Sequence, residues 1–244
     1  MSLLAVSSVS VRFGGVMAVD NLNLEMPAGT VTGLIGPNGA GKTTTFNVIT
    51  GIQPPTAGRI HIDGRDITKV AAHKRARLGM ARTFQRLEVF GSLTAYENIL
   101  VGAEISRGWS KEKFDAKARA EEIVELVGLA QVRDDRADAM PTGLARLVEL
   151  GRALATKPRV LLLDEASSGL DENESEDLGR LMVRLAQSGL GILLVEHDID
   201  LVMSICENIF VLDFGRVIAS GSPKAVQSNP AVQEAYLGSS KESV

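Results

Sequence analysis

Eight consecutive residues, GPNGAGKT from Gly36 to Thr43, match the pattern G-x-x-x-x-G-K-[ST] between the apolar run VTGLI and the helical stretch KTTTFNVIT. That context gives them a chemistry. Gly36, Gly39 and Gly41, with Asn38 and Ala40 between them, let backbone N–H groups turn inward around phosphate oxygens. Lys42 can reach the β and γ phosphates, Thr43 can hold Mg²⁺, and Thr44 extends the first helical turn, whose N-terminus favours anions. The residues read as a nucleoside triphosphate site. A glycine-rich turn before an ordinary helix is the competing explanation, and eight matching residues in the right context argue against it.

A second cluster ends the apolar run VLLLDE, from Val160 to Glu165, where a buried parallel strand would deliver carboxylates beside the phosphate loop. Asp164 is the expected carboxylate on the Mg²⁺ side. Glu165 could polarise a water for attack on the γ phosphate, which makes hydrolysis expected as well as binding. The single cysteine, Cys206, lies in LVMSICENI and reads as a small buried apolar residue.

These groups need elements to position them. Short β-friendly pieces, VSVRF and LNLEM, broken at Gly14 and Gly15, predict an antiparallel start. Strand, phosphate loop and helix follow, then a hairpin around Gly64 and a short strand in GMARTFQ that leaves the core through Gln85. From about Leu93 to Lys157 the periodicity turns helical. There Leu144, Leu147, Val148 and Leu154 fall on one helical face. After Pro158 strands and helices alternate: VLLLDE, a helix from Glu172 to Gln187, GILLVEHD, a helix from Asp198 to Cys206, then IFVLD and RVIASG. The expected fold class is α/β, a mainly parallel sheet covered on both faces, with an N-terminal antiparallel β part and an inserted helical subdomain. In domain terms the expectation is one unit over 1–244, with 1–87 and 158–244 forming the α/β core and 88–157 the helical subdomain. The final KESV is expected to fray.

Composition narrows the partners. The 244 residues are 45% apolar and 23% charged, which fits neither disorder nor a fibrous repeat. With 26 Lys and Arg against 30 Asp and Glu the net charge is −4, so bulk charge offers nucleic acid no basic surface. The basic run HKRAR, from His73 to Arg77, is expected to be a solvated helix face. Apolar runs such as Val160 to Leu163 fall far short of the ~20 residues that a membrane-crossing helix needs. No secretory signal is expected from Leu3 to Val6, and a cytoplasmic location is.

Further motifs follow in an order that resembles the ATPases of ABC transporters along nearly the whole chain. Gln85, after ARTF, resembles the family's glutamine loop; MPTGL, Met140 to Leu144, stands in the place of its LSGGQ signature; SSGLD, ending at Asp171, resembles its D-loop. His197, after LLVE, resembles the switch histidine. The wording GMARTFQ, VFGSLTAYEN and NPAVQEAYLG resembles the ATPase subunits of branched-chain amino-acid importers, while urea-type and lipopolysaccharide-export ATPases share parts of it. A non-transport ABC ATPase predicts a basic face or coiled-coil insertion, and a P-loop kinase or GTPase has no use for SSGLD or His197.

The resemblance implies a set of roles. Glu165, His197 and Gln85 would be catalytic, Thr43, Gln85 and Asp164 would face Mg²⁺, and Gly143 and Asp171 would complete an ATP site. Phe13 would stack on adenine, with a strand-end core residue as its alternative reading. Two chains would close head to tail around two ATP molecules, each phosphate loop facing the partner's signature. Val89, Phe90 and Leu93 would line a groove for a membrane permease on the inner face of the cell membrane. Pro141, Thr142 and Leu144 depart from the family's serine, glycine and glutamine, and Ala166 from its proline. A signature without the serine hydroxyl favours a heterodimer. Import of branched-chain amino acids or a similar small amphiphilic solute is the implied work.

Overall fold

A computed structural model describes residues 2–239, which leaves the KESV tail outside the described residues. The chain opens with β1 (Ser2–Phe13) and β2 (Val16–Pro27), an antiparallel hairpin turning at Gly14–Gly15. Alternate residues of β2, Leu22, Leu24 and Met26, are buried while their neighbours face out, the period-2 signature of a sheet with one covered face. β3 (Val31–Ile35) is buried at every residue and feeds α1 (Lys42–Thr50). β4 (Ala57–Ile62) and β5 (Arg65–Asp66) form the expected hairpin around Gly64 and complete a four-stranded antiparallel sheet, β2-β1-β4-β5.

A short α2 (Ala72–Arg77) then leads to β6 (Met80–Arg82). Here the expectation of a solvated basic face fails at Arg75, which is 1% exposed. Its guanidinium donates to the carbonyls of Val48 and Ile49 at the end of α1, and to those of Thr68 and Val70. The last carbonyls of a helix lack intrahelical partners, and a planar fork with five donors satisfies several of them at once. Charge alone did not distinguish this residue from its solvated neighbours.

Three helices follow: α3 (Ala95–Trp109), α4 (Ala116–Leu126) and α5 (Thr142–Ala155), with short 3₁₀ turns at Ala130–Val132 and Ala137–Ala139. α3 starts at a capping box, Thr94 with Glu97, which satisfies two otherwise unpaired backbone donors. It crosses α5 closely at Gly102, where a Cβ would stand 2.4 Å from the carbonyl oxygen of Arg152. β7 (Val160–Asp164), α6 (Glu172–Gln187), β8 (Gly191–Val195), α7 (Ile199–Ile205), β9 (Asn208–Asp213) and β10 (Arg216–Gly221) alternate as anticipated, and α8 (Pro223–Gln227) and α9 (Pro230–Ser239) end the described chain.

The second sheet has the order β10-β9-β3-β8-β7-β6, parallel except for β10. Its central strands are buried on both faces. Leu161, Leu163, Ile192 and Leu194 join the core shared with the helices, while Val160, Leu162, Leu193 and Val195 join the core under the antiparallel sheet. At roughly 1.5–3 kcal/mol for each fully buried aliphatic side chain, these two faces hold the strands in one register. Because β3, β6, β7 and β8 run parallel, their carboxyl ends emerge along one edge. That edge is where Gly36, Arg82, Asp164 and Glu196 begin the loops of the site.

Candidate functional site

The phosphate loop is built from backbone. Gly41 caps α1 with φ 104°, a left-handed conformation that favours glycine, and a Cβ there would lie 2.6 Å from the carbonyl oxygen of Ala18. The Nζ of Lys42 donates to the carbonyls of Gly36 at 2.6 Å and Pro37 at 3.0 Å, so the side chain folds back over its own loop. Burial lowers the pKa of this ammonium, while the nearby Glu165 and Asp164 carboxylates raise it.

Asn38, Gly39, Ala40, Gly41, Lys42, Thr43 and Thr44 line one cleft together with Gln85, Asp164, Glu165 and His197. The residues that the sequence separates by more than a hundred positions therefore meet. Gln85 donates from Nε2 to Oε1 of Glu165 at 2.9 Å, and Nε2 of His197 lies 2.9 Å from the same oxygen. Glu165 carries φ 54°, uncommon for a residue with a side chain. Its N–H donates to the carbonyl of Val195, tying the turn to the end of β8. A carboxylate held between an amide and an imidazole at the rim of a phosphate cradle can accept a proton from an attacking water.

Asp164 is 2% exposed. Its Oδ2 accepts from Arg82 at 2.8 Å, and its own N–H donates to Oγ1 of Thr83 at 3.2 Å. Desolvation raises the carboxyl pKa, and the bond from Arg82 opposes it most strongly. Thr43, Gln85 and Asp164 face the same cleft with oxygen donors, which suits a hard cation. Among the described residues no group of three or more His, Cys, Asp and Glu side chains is arranged to hold a metal ion by itself. A Mg²⁺ ion here would take much of its coordination from phosphate and water, the usual arrangement for that ion.

Three expected contributors lie elsewhere in the chain. Phe13 is 49% exposed at the tip of the β1–β2 hairpin, not in the core. Gly143, in the first turn of α5, packs on the segment before α6: a Cβ would stand 2.6 Å from Leu170. Asp171 is the N-cap of α6, accepting from the N–H of Glu174 at 2.9 Å. Gly143 and Asp171 thus sit at helix starts, outside the residues that line this chain's own cleft. Pro141 is the N-cap of α5, one position before the helix rather than within it, and its carbonyl accepts from Ala145.

Several supporting residues had no sequence motif. Glu196 is buried and accepts from both the N–H and the hydroxyl of Ser167 at 2.8 Å, bracing the turn after Glu165. Burial raises the pKa of Glu196. From α5, Arg146 donates to the carbonyls of Phe84 and Gln85, and Glu149 accepts from the N–H of Phe84, so this helix grips the loop that carries Gln85. A charged residue inside an apolar helical stripe was the available signal, since Arg and Glu are almost never fully buried unpaired. In α9, burial pushes the pKa of Tyr236 up to about 12, and the backbone of Gly36 opposes the rise. Cys206 is buried, its thiol also pushed up to about 12.

A family model described as ABC transporter matches residues 19–168, and one described as Branched-chain amino acid ATP-binding cassette transporter matches residues 216–242. The chain belongs to the ABC transporter ATPase family. It is 39% identical to the high-affinity branched-chain amino acid transport ATP-binding protein BraF of Pseudomonas aeruginosa, over 97% of this chain and 98% of that one. It is also 35% identical to the lipopolysaccharide export system ATP-binding protein LptB of Escherichia coli, over 98% of each. A solved nucleotide-free ATP-binding cassette of an ABC transporter superposes with a TM-score of 0.87 at 31% identity, covering 97% of this chain and 99% of that one. As a member of this family the chain is an ATP-binding transporter subunit and an ATPase. Among the described residues no helix is long and apolar enough to cross a membrane.

Beside the nucleotide cleft lies an apolar groove of about 430 Å³, lined by Ile52, Phe84, Phe90, Ile105 and Trp109 among others. Of the three residues expected to line a groove, Phe90 does so. Val89 packs on the core and Leu93 is half-buried beyond the lining. Arg152 reaches across from α5, lying over the Phe90 ring at 5.0 Å and donating to the carbonyl of Glu88.

Proposed function

We propose that this chain powers the import of branched-chain amino acids, as one of two ATPase subunits docked beneath a membrane permease. The observation that carries the ATPase half is the pair of hydrogen bonds from Gln85 and His197 to one oxygen of Glu165, at the rim of the phosphate loop. In this reading Lys42 and the loop amides hold the β and γ phosphates and Glu165 orients and deprotonates the attacking water. His197 contacts the γ phosphate, and Gln85 senses it. Thr43, Asp164 and Gln85 would hold Mg²⁺, which neutralises charge developing on the phosphate oxygens. Phe13 offers its exposed ring to adenine.

Residues 1–87 and 158–244 act as the nucleotide-binding core and 88–157 as the helical part that moves with it. Gly143 and Asp171, at helix starts outside this chain's own cleft, would act in a partner's ATP site across a head-to-tail interface, with the positive end of α5 aimed at the partner's phosphates. Pro141 has no hydroxyl to offer there, which favours a heterodimer whose other subunit supplies the fuller signature. The groove around Phe90, Ile105 and Trp109 would receive a permease helix at the inner face of the membrane; nucleic acid has no place in this scheme.

The solute rests on the relatives: BraF shares 39% identity over nearly the whole length, and the branched-chain family model matches the C-terminal region. The likeness to LptB makes lipopolysaccharide export the second reading. Vesicles reconstituted with this chain, its partner ATPase, the permease and the soluble solute receptor should accumulate labelled leucine only when ATP is supplied. ATP-dependent transport confined to some other solute would overturn the assignment while leaving the ATPase intact.

A further inference from the structure

Arg82 ends β6 at the point where three carriers of the nucleotide site converge, and its side chain is 6% exposed. One terminal nitrogen donates to Oδ1 of Asn47 on α1 at 2.6 Å, and the other to Oδ2 of Asp164 at the end of β7 at 2.8 Å. The Nε donates to the carbonyl of Thr83 at 3.2 Å. The rings of Phe46 and Phe84 lie against the guanidinium, with centroids 5.3 and 4.8 Å away. The planar fork makes these contacts together; a lysine ammonium, a single point of charge on a flexible stem, cannot.

The consequence falls on the carboxylate. Oδ2 of Asp164 is taken by Arg82, and among the described residues no protein donor engages Oδ1. One oxygen is anchored and the other is left toward the cleft that Asp164 lines with Thr43 and Gln85. Arg82 also reaches Asn47, four residues along α1 from Thr43, so one side chain links the helix that carries Thr43 to the strand that carries Asp164.

We propose that Arg82 is a positioning residue for the divalent cation of the nucleotide site, fixing the orientation of Asp164 and its spacing from Thr43. Arg82 does not touch the cation. It acts as partners of metal-binding groups do elsewhere, where their loss typically weakens metal affinity by about 10- to 100-fold. The inference rests on the reading of Asp164 and Thr43 as the cation-side residues.

The test is Mn²⁺ binding to the full chain saturated with ADP, followed by the electron paramagnetic resonance signal of free Mn²⁺, with ADP affinity in EDTA measured alongside. Arg82→Gln should raise the Mn²⁺ dissociation constant by about tenfold or more, Arg82→Lys should raise it by less, and both should hold ADP in EDTA within about threefold of the wild type. Asp164→Asn separates the two layers of the argument. If that variant binds Mn²⁺ as the wild type does, the reading of the cation site fails. If Asp164→Asn weakens Mn²⁺ and a folded Arg82→Gln does not, only the role of Arg82 fails. An equal loss of ADP affinity with and without metal would also overturn it, in favour of a purely structural contact. Where thermal melting shows Arg82→Gln to be unfolded, the lysine variant decides: unchanged Mn²⁺ affinity would refute the need for the fork.

Discussion

His197 and Lys42 occupy the same cleft and do different work there. Lys42 is folded over the loop that cradles phosphate, whereas His197 is mostly exposed and touches Glu165. A group that contacts the γ phosphate chiefly in the closed, reacting state affects turnover more than binding. His197→Ala should therefore lower the ATPase rate and leave ATP affinity within a few-fold, measured by steady-state hydrolysis and equilibrium titration on the same preparation. A parallel loss of affinity would assign this histidine to binding. His197 and Glu165 were legible because each stands two residues past an apolar run, Ile192 to Val195 and Val160 to Leu163, where polar residues mark a strand's carboxyl end. Arg82 was equally readable as a charge beside a short strand, yet nothing in its neighbours named Asp164 as its partner, 82 positions away. Arg75 shows the same blindness in reverse: its run looks like surface, and only the packed ends of α1 and α2 reveal four carbonyls to be satisfied.

At the scale of elements, the helix starts carry the predictions. α5 begins after Pro141 with no side-chain cap, so its N-cap position offers no hydroxyl and the first one stands a residue later, on Thr142. Hydrogen bonds to charged groups contribute about 1.5–3 kcal/mol. Pro141→Ser, made in a Glu165→Gln background that keeps ATP intact, should strengthen ATP-dependent dimerisation by about tenfold or more, one decade per 1.4 kcal/mol. Sedimentation with ATP reads it directly, and equal dimerisation of both forms would mean that the helix terminus and Gly143 suffice. The apolar groove gives a second expectation. Phe90→Asp or Ile105→Asp alters a half-exposed side chain away from the phosphate loop, and should abolish co-purification with the permease while ATP binding by the isolated chain persists. Strand and helix positions were legible from their periods, α6 to the residue. Of the groove's lining only Phe90 was anticipated, because the groove gathers Ile52, Phe90 and Trp109 from segments with no common pattern.

Across the whole molecule the parallel sheet is what turns scattered motifs into a site. β3, β6, β7 and β8 end along one edge, so the phosphate loop, Gln85, Asp164, Glu165 and His197 converge there although they span most of the chain. The alternation of strands and helices made that convergence predictable. The clamp of α5 on the Gln85 loop came from packing between elements far apart in sequence. The central claim is that binding and hydrolysis of ATP are divided between residues of this one cleft. ATP affinity and hydrolysis rate of Glu165→Gln, measured side by side, test it most directly, because the substitution removes the carboxylate and preserves its shape. The account predicts binding within a few-fold of the wild type and a turnover reduced by about 10²-fold or more, the range for losing a general base. Turnover equal to that of the wild type would contradict it.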